Sequence, residues 1–149
     1  MANIRQFCTF CLEDQFFGVP VDEVQEVIRY QDITRVPLMP DFVRGLINLR
    51  GQIVTAIDLR RCLGMADRRA DQLPMNVVVR TGDGAISLLV DEIGDVLEVG
   101  EDSLEAPPET LRGPARSMVC GVYKLPERLL FVLDTEQAVA GGDDAKKSN

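Results

Sequence analysis

Apolar and polar positions alternate in short runs along most of this chain, and turns containing Gly, Pro or Asp separate the runs. Short alternating runs bounded by such residues read as strands joined into hairpins. Residues 6–12 and 15–19 flank Glu13-Asp14 and predict a first hairpin. Residues 46–49 and 53–57 flank Arg50-Gly51 and predict a second. Residues 75–80 and 85–90 flank 81–84 and predict a third, which 91–99 continues, with Gly94 marking a bulge or a close approach. Residues 118–124 and 129–133 around Pro126-Glu127-Arg128 predict the last. One stretch departs from this period. In VDEVQEVIRY the apolar residues Val21, Val24, Val27 and Ile28 fall near helical spacing, with Asp22, Glu23 and Glu26 towards the start, where a helix favours negative charge. A short amphipathic helix is expected there, running into a strand at 28–30.

The segments between these runs are also legible. Pro37 and Pro40 bar a regular helix or central strand just before the second hairpin. Asp58 is placed to cap a helical turn over 59–63, with Gly64 at its end. Residues 66–73 (ADRRADQL) read as a polar, mobile loop, and 101–116, with Pro107, Pro108 and Pro114, as a longer one. A short helix fits 135–139, and the polar tail 141–149 is expected to be disordered. The sum is about nine short strands in one domain over 1–140, an all-β barrel or pair of barrels with a few short helices.

Composition supports this outline. The 149 residues include no Trp and no His, and aliphatic residues dominate an apolar fraction of 46%. The net charge of −8 excludes a generally basic surface of the kind that binds nucleic acid or anionic membranes. The charge is uneven, however. Residues 41–69 carry six Arg against three Asp, a local +3 that leaves −11 for the remainder. This is either an ordinary mixed-charge surface or a basic face for an acidic protein partner.

No apolar segment reaches 18 residues, so no membrane-spanning helix is expected, and MANIRQFCTF lacks the pattern of a secretory signal. A cytoplasmic location with four reduced Cys follows. Cys8-x-x-Cys11 sits in a strand-like run, where positions three apart face opposite ways. With no His and no second Cys pair, buried structural thiols are expected and no metal.

Catalytic patterns are likewise missing. Ser–His and Cys–His arrangements are unavailable without His. Ser87, Ser103, Ser117 and Ser148 lie in no nucleophile-elbow pattern, and no phosphate-binding Gly-rich loop occurs. A binding module without cofactor is the expectation.

Several blocks then resemble one family. Gly45-Leu46-Ile47-Asn48-Leu49-Arg50-Gly51-Gln52-Ile53 followed by Asp58-Leu59-Arg60 resembles the GxxNLRGxI…DLR signature of CheW-like domains, with Thr55 and Ala56 where that family usually has Pro and an apolar residue. Phe16-Phe17-Gly18-Val19 with Val24-Gln25-Glu26-Val27 agrees in order and spacing. So do Leu89-Val90-Asp91 with Asp95-Val96-Leu97, and Cys120-Gly121-Val122 before 129–134. The resemblance runs over about 6–140.

It implies two SH3-like five-stranded β-barrel lobes sharing a core, and a non-catalytic adaptor of chemotaxis. Such an adaptor couples the cytoplasmic tips of methyl-accepting chemoreceptors to the histidine kinase CheA, recruited to membrane-associated arrays. The resemblance implies a groove between the lobes for the receptor hairpin and a lobe surface for CheA's regulatory domain. It carries partner-binding roles, in the receptor groove or as its support, to Val24, Glu26, Val27, Gly45 and Arg50. For Arg50 two readings stand: an internal ion pair, with Glu26 as first candidate, or a direct contact to an acidic group on the receptor. An adaptor of a non-chemotactic receptor–kinase pathway, and a small β-barrel enzyme or ligand binder, are the alternatives.

Overall fold

A computed structural model describes residues 3–136 apart from Asp83 and Arg112. The expected tail at 141–149 and all but Thr135 and Glu136 of the expected helix at 135–139 lie outside the described residues.

Ten strands form two five-stranded sheets. The strands are β1 (Ile4–Leu12), β2 (Gln15–Pro20), β3 (Val24–Ile28), β4 (Val43–Leu49), β5 (Gln52–Asp58), β6 (Met75–Thr81), β7 (Gly84–Val90), β8 (Glu92–Gly100), β9 (Val119–Lys124) and β10 (Leu129–Leu133). Two short helices, α1 (Leu59–Cys62) and α2 (Pro114–Met118), and two 3-10 turns complete the described elements. One sheet has the order β8-β1-β2-β10-β9 and the other β3-β6-β7-β5-β4. Both repeat one plan: two antiparallel hairpins meet along a parallel pair, β2 with β10 in the first sheet and β5 with β7 in the second.

The chain leaves the first lobe after β2, builds the whole second lobe, and returns through β8. Each sheet is closed by a short bridge from a connecting segment. Thr34 pairs with Leu46 of edge strand β4, and Glu105 pairs with Val122 of edge strand β9. Each bridge occupies part of an edge that would otherwise be open.

All four predicted hairpins form. At the second, Arg50 and Gly51 both have positive φ (53° and 88°), as a tight turn matched to strand twist requires, and the Gly51 N–H donates to Asn48 Oδ1 at 3.0 Å. Asp58 caps α1 by accepting from the Arg60 N–H at 3.2 Å, and Gly64 follows with φ 76°.

Three expectations change. The helix expected from Val21 is only a 3-10 turn (Val21–Glu23), and Val24–Ile28 is strand β3. Burial alternates strictly along β3, but Glu26 takes an inward position and Val27 an outward one, so the apolar residues imitate helical spacing, while β-branched Val24, Val27 and Ile28 favour the strand. β8 does not extend the β6–β7 hairpin. It crosses to β1, with the register slipping near Gly94, where the Thr9 side chain closes in on the glycine and its hydroxyl donates to the Asp95 carbonyl. The long loop of 101–116 contains a 3-10 turn (Glu101–Ser103) and the start of α2.

Each lobe keeps a small core of its own. Phe7, Phe16, Tyr123, Leu130 and Val132 fill the first, and Ile47, Leu49, Val54, Ala56, Val78 and Leu89 the second. The larger core is shared: Phe10, Phe17, Val19 and Leu133 from one sheet pack with Ile57, Val77, Val79 and Leu88 from the other. β6 therefore buries both faces at Asn76–Val79, which explains its unbroken apolar run.

Candidate functional site

Two surfaces carry the distinctive chemistry. The first is the seam where the second lobe closes. β3 and β4 lie at opposite ends of that sheet's order, yet Arg50 Nη1 lies 3.3 Å from Glu26 Oε2, joining the β4–β5 turn to β3. The pair is lopsided, the Arg50 side chain being 82% exposed and Glu26 only 19%. Arg50 thus makes the ion pair and still presents most of its guanidinium to solvent.

Gly45 explains how the seam closes. Its φ is 146°, and a Cβ there would run into the Thr34 carbonyl oxygen and lie 2.8 Å from Ile33 Cγ2. The close approach allows Thr34 and Leu46 to exchange two backbone hydrogen bonds of 2.8 Å. Gly45 is buried and shapes the wall from behind. Val24 packs half-buried against the shared core, while Val27 faces outward at 37% exposure. With Ile53, 61% exposed on β5, it adds apolar surface to this lobe.

The second surface is an apolar groove of about 360 Å³ between the lobes. Phe17, Val119 and Phe131 form one wall on the first sheet, Leu63 and Met65 after α1 form the other, and Leu111 and Ala115 come from the 101–118 segment. None of Val24, Glu26, Val27, Gly45 and Arg50 lines it. Sequence reading placed a groove between the lobes and assigned those five residues to it or to its support, but reached none of the residues that line this one. The residues converge from four separate segments, and only strand pairing brings them together.

Beneath the groove the lobes are clamped by buried charge. Arg60 donates from Nε to Asp91 Oδ1 at 2.9 Å and from Nη2 to Oδ2 at 2.5 Å, a two-pronged pair with both side chains at most 6% exposed. Arg60 Nη1 reaches Glu13 at 3.2 Å in the first hairpin turn, and the Glu13 N–H donates to Asp91 Oδ2 at 2.7 Å. Arg68 completes the cluster, with Asp91 at 3.1 Å and Asp58 at 3.2 Å. Burial alone would raise the Asp91 pKa. Hydrogen bonds from Arg60 and the Glu13 N–H, with the charges of Arg60 and Arg68, overcome it and hold the carboxyl below its ordinary range.

This pairing also resolves the basic stretch. Glu26, Glu13, Asp91 and Asp71, all outside 41–69, pair with Arg50, Arg60, Arg68 and Arg69 and meet the surplus of +3, while Arg61 pairs inside the stretch with Asp67. Of the six arginines, Arg44 alone makes no ion pair among the described residues. The loop expected to be polar and mobile is tied down by Arg68, whose side chain is 92% buried. Of the four cysteines expected to be buried, only Cys62 is fully so. Cys62 is buried, and burial with the nearby Asp58 charge pushes its pKa up to about 12, but Cys120 is exposed. Cys8 and Cys11 are half-buried, and among the described residues no group of three or more His, Cys, Asp or Glu could hold a metal. No helix among them is long and apolar enough to cross a membrane.

Two interleaved SH3-like five-stranded lobes, bearing an apolar groove and a charged seam on one shared core, define a small two-lobed β scaffold. The chain belongs to the CheW-like domain family, whose sequence profile matches residues 6–141. It is 30% identical over 145 residues to chemotaxis protein CheW of Klebsiella aerogenes, covering 97% of this chain and 87% of that one. Chemotaxis protein CheW of Thermotoga maritima is 32% identical over 133 residues, with 88% and 85% covered. The crystal structure of scaffolding protein TtCheW from Thermoanaerobacter tengcongensis superposes with a TM-score of 0.78 at 28% identity, covering 90% of each chain.

Proposed function

We propose that this chain is a non-catalytic chemotaxis coupling adaptor that joins chemoreceptor cytoplasmic tips to the histidine kinase CheA and is recruited to membrane-associated receptor arrays. The observation that carries the reading is the pair of separate surfaces on one body. The interlobe groove, walled by Phe17, Leu63, Met65 and Phe131, suits the apolar face of a helix from the receptor hairpin. The Glu26–Arg50 seam, with Val27 beside Glu26 on β3, suits a flatter contact with the kinase's regulatory domain. Val24 and Gly45 act as supports: Val24 anchors β3 to the shared core, and Gly45 lets the wall close.

The electrostatics agree with docking rather than proton transfer. Asp67 and Asp91 are both held ionised by arginine partners, the opposite of the raised pKa a general acid needs. A protein that binds two partners at fixed positions raises the effective concentration of each for the other. The test is assembly of the full chain with a receptor signalling fragment and CheA, read by co-sedimentation and kinase activity. A ternary assembly with elevated kinase activity is expected. Failure of the wild-type chain to form it ends the adaptor reading.

A further inference from the structure

The groove's lining includes one charged side chain, Glu13, alongside Gln15 and apolar residues. Its charge is surplus to the clamp beneath. Arg60 and Arg68 face three carboxylates, Asp58, Asp91 and Glu13, so the cluster as a whole carries one uncompensated negative charge. Four of these five side chains are at most 8% exposed, whereas Glu13 is 50% exposed. The uncompensated charge therefore surfaces at Glu13, inside the groove.

The carboxylate is also held in place. Glu13 adopts φ 56° in the β1–β2 turn, its N–H is fixed on Asp91, and its Oε1 is on Arg60. Its Oε2 has no partner among the described residues. Phe17, Leu63 and Met65 around it exclude water once a helix docks, so a counter-charge there is worth more than at an open surface.

We propose that Glu13 is a specificity-determining residue of the groove, accepting a Lys or Arg side chain that projects from the apolar face of the docked receptor helix, with Arg60 as the residue that positions it. This rests on the groove being the receptor site and adds the chemistry of what it selects: an apolar helical stripe interrupted by one cation.

The test is calorimetric titration of the full chain with a receptor signalling fragment at several salt concentrations, with thermal unfolding verifying each variant's fold. Glu13→Gln is expected to weaken binding about tenfold, the scale of a partly desolvated ion pair at an interface, and to reduce the salt dependence. Glu13→Lys should weaken it further and be rescued by reversing one basic residue of the receptor helix to Glu. Met65→Glu serves as the groove control and should abolish binding. Unchanged affinity and salt slope in Glu13→Gln, beside a binding-dead Met65→Glu, overturns the role of Glu13. So does the absence of any rescuing basic position. Normal binding by Met65→Glu removes the groove itself as the receptor site, and this proposal with it.

Discussion

Replacing Arg50 by Ala separates the two roles that the seam allows it. As a wall element, Arg50 contributes through a single 3.3 Å ion pair to Glu26. Pairs this exposed contribute about 0.5 kcal/mol. The left-handed backbone at φ 53° costs Arg and Ala alike, so it cancels in the comparison. Arg50→Ala is therefore expected to lower stability by only about 0.5 kcal/mol. As a contact, an Arg whose surface is 82% free can be covered by a partner, and such anchors lose about 2 kcal/mol or more on truncation, near thirtyfold in affinity. The chain has no Trp, so unfolding in urea is best followed by far-UV circular dichroism. Binding is measured separately for the receptor fragment and for CheA's regulatory domain. Loss of one partner with stability nearly intact is the expected result. A stability loss above about 2 kcal/mol, with binding reduced only in step with the unfolded fraction, would return Arg50 to the wall. Normal binding with an intact fold would remove it from the mechanism.

Gly45→Ala should be costly for a different reason: the new methyl group meets the Thr34 backbone and breaks the two bonds that close the lobe. A loss of about 3 kcal/mol in urea denaturation is expected, combining φ strain with overpacking, and a change within 0.5 kcal/mol would refute the closure argument. Asp91→Asn removes the charge shared by two buried arginines and turns one accepting oxygen into a donor, and should cost about 3 kcal/mol or more, well above an exposed Asp→Asn control such as Asp71. In the wild type, the lowered Asp91 pKa means that between its folded and unfolded values the unfolded chain binds more protons. Its contribution is thus complete above the ordinary carboxylate range, about pH 3.9, and is lost as pH falls through the lower folded value. Acid titration of Asp91→Asn should show a shallower fall in stability, and an identical acid limb would contradict the clamp. Cys62, with its thiol pushed up to about 12, should resist iodoacetamide at pH 8 in the native protein and react in urea, as read by mass spectrometry; rapid native labelling would show the shared core to be open.

What was legible in the sequence was local. Alternation and turn chemistry located the hairpins, because a Gly or Asp turn and a two-residue period are written in adjacent residues. Asp58 as a cap was also within reach, and the family resemblance brought Glu26 and Arg50 together as a candidate pair that the structure contains. The β3 misreading has the same origin: Glu26 faces inward to meet Arg50, twenty-four residues away on another turn, and the period of one short segment cannot reveal that. The clamp was hidden for a related reason. Arg60 and Arg68 looked like part of a basic surface until folding brought Asp91 across from the end of β7. The groove depends on four segments meeting, and no short-range signal encodes that meeting.

The clamp and the shared core together decide how such a body can transmit a signal. Phe10, Phe17, Val19 and Leu133 of one lobe interdigitate with Ile57, Val77, Val79 and Leu88 of the other. Parting the lobes would expose these eight side chains at about 1.5–3 kcal/mol each, even before Arg60 and Asp91 lost their partners. That sum is as large as or larger than the whole stability of a typical domain, so a hinge between the lobes is not an available low-energy motion. Coupling of the groove to the seam through two alternative lobe arrangements would need both to be populated, and the packing leaves only one within reach. What remains is geometric: partners held on two faces of a stiff body keep a fixed separation and orientation, and the cooperativity of assembly comes from that constraint. On this argument the interlobe ion cluster contributes by preventing motion, and in the function proposed above it would fix where the two partners stand relative to each other.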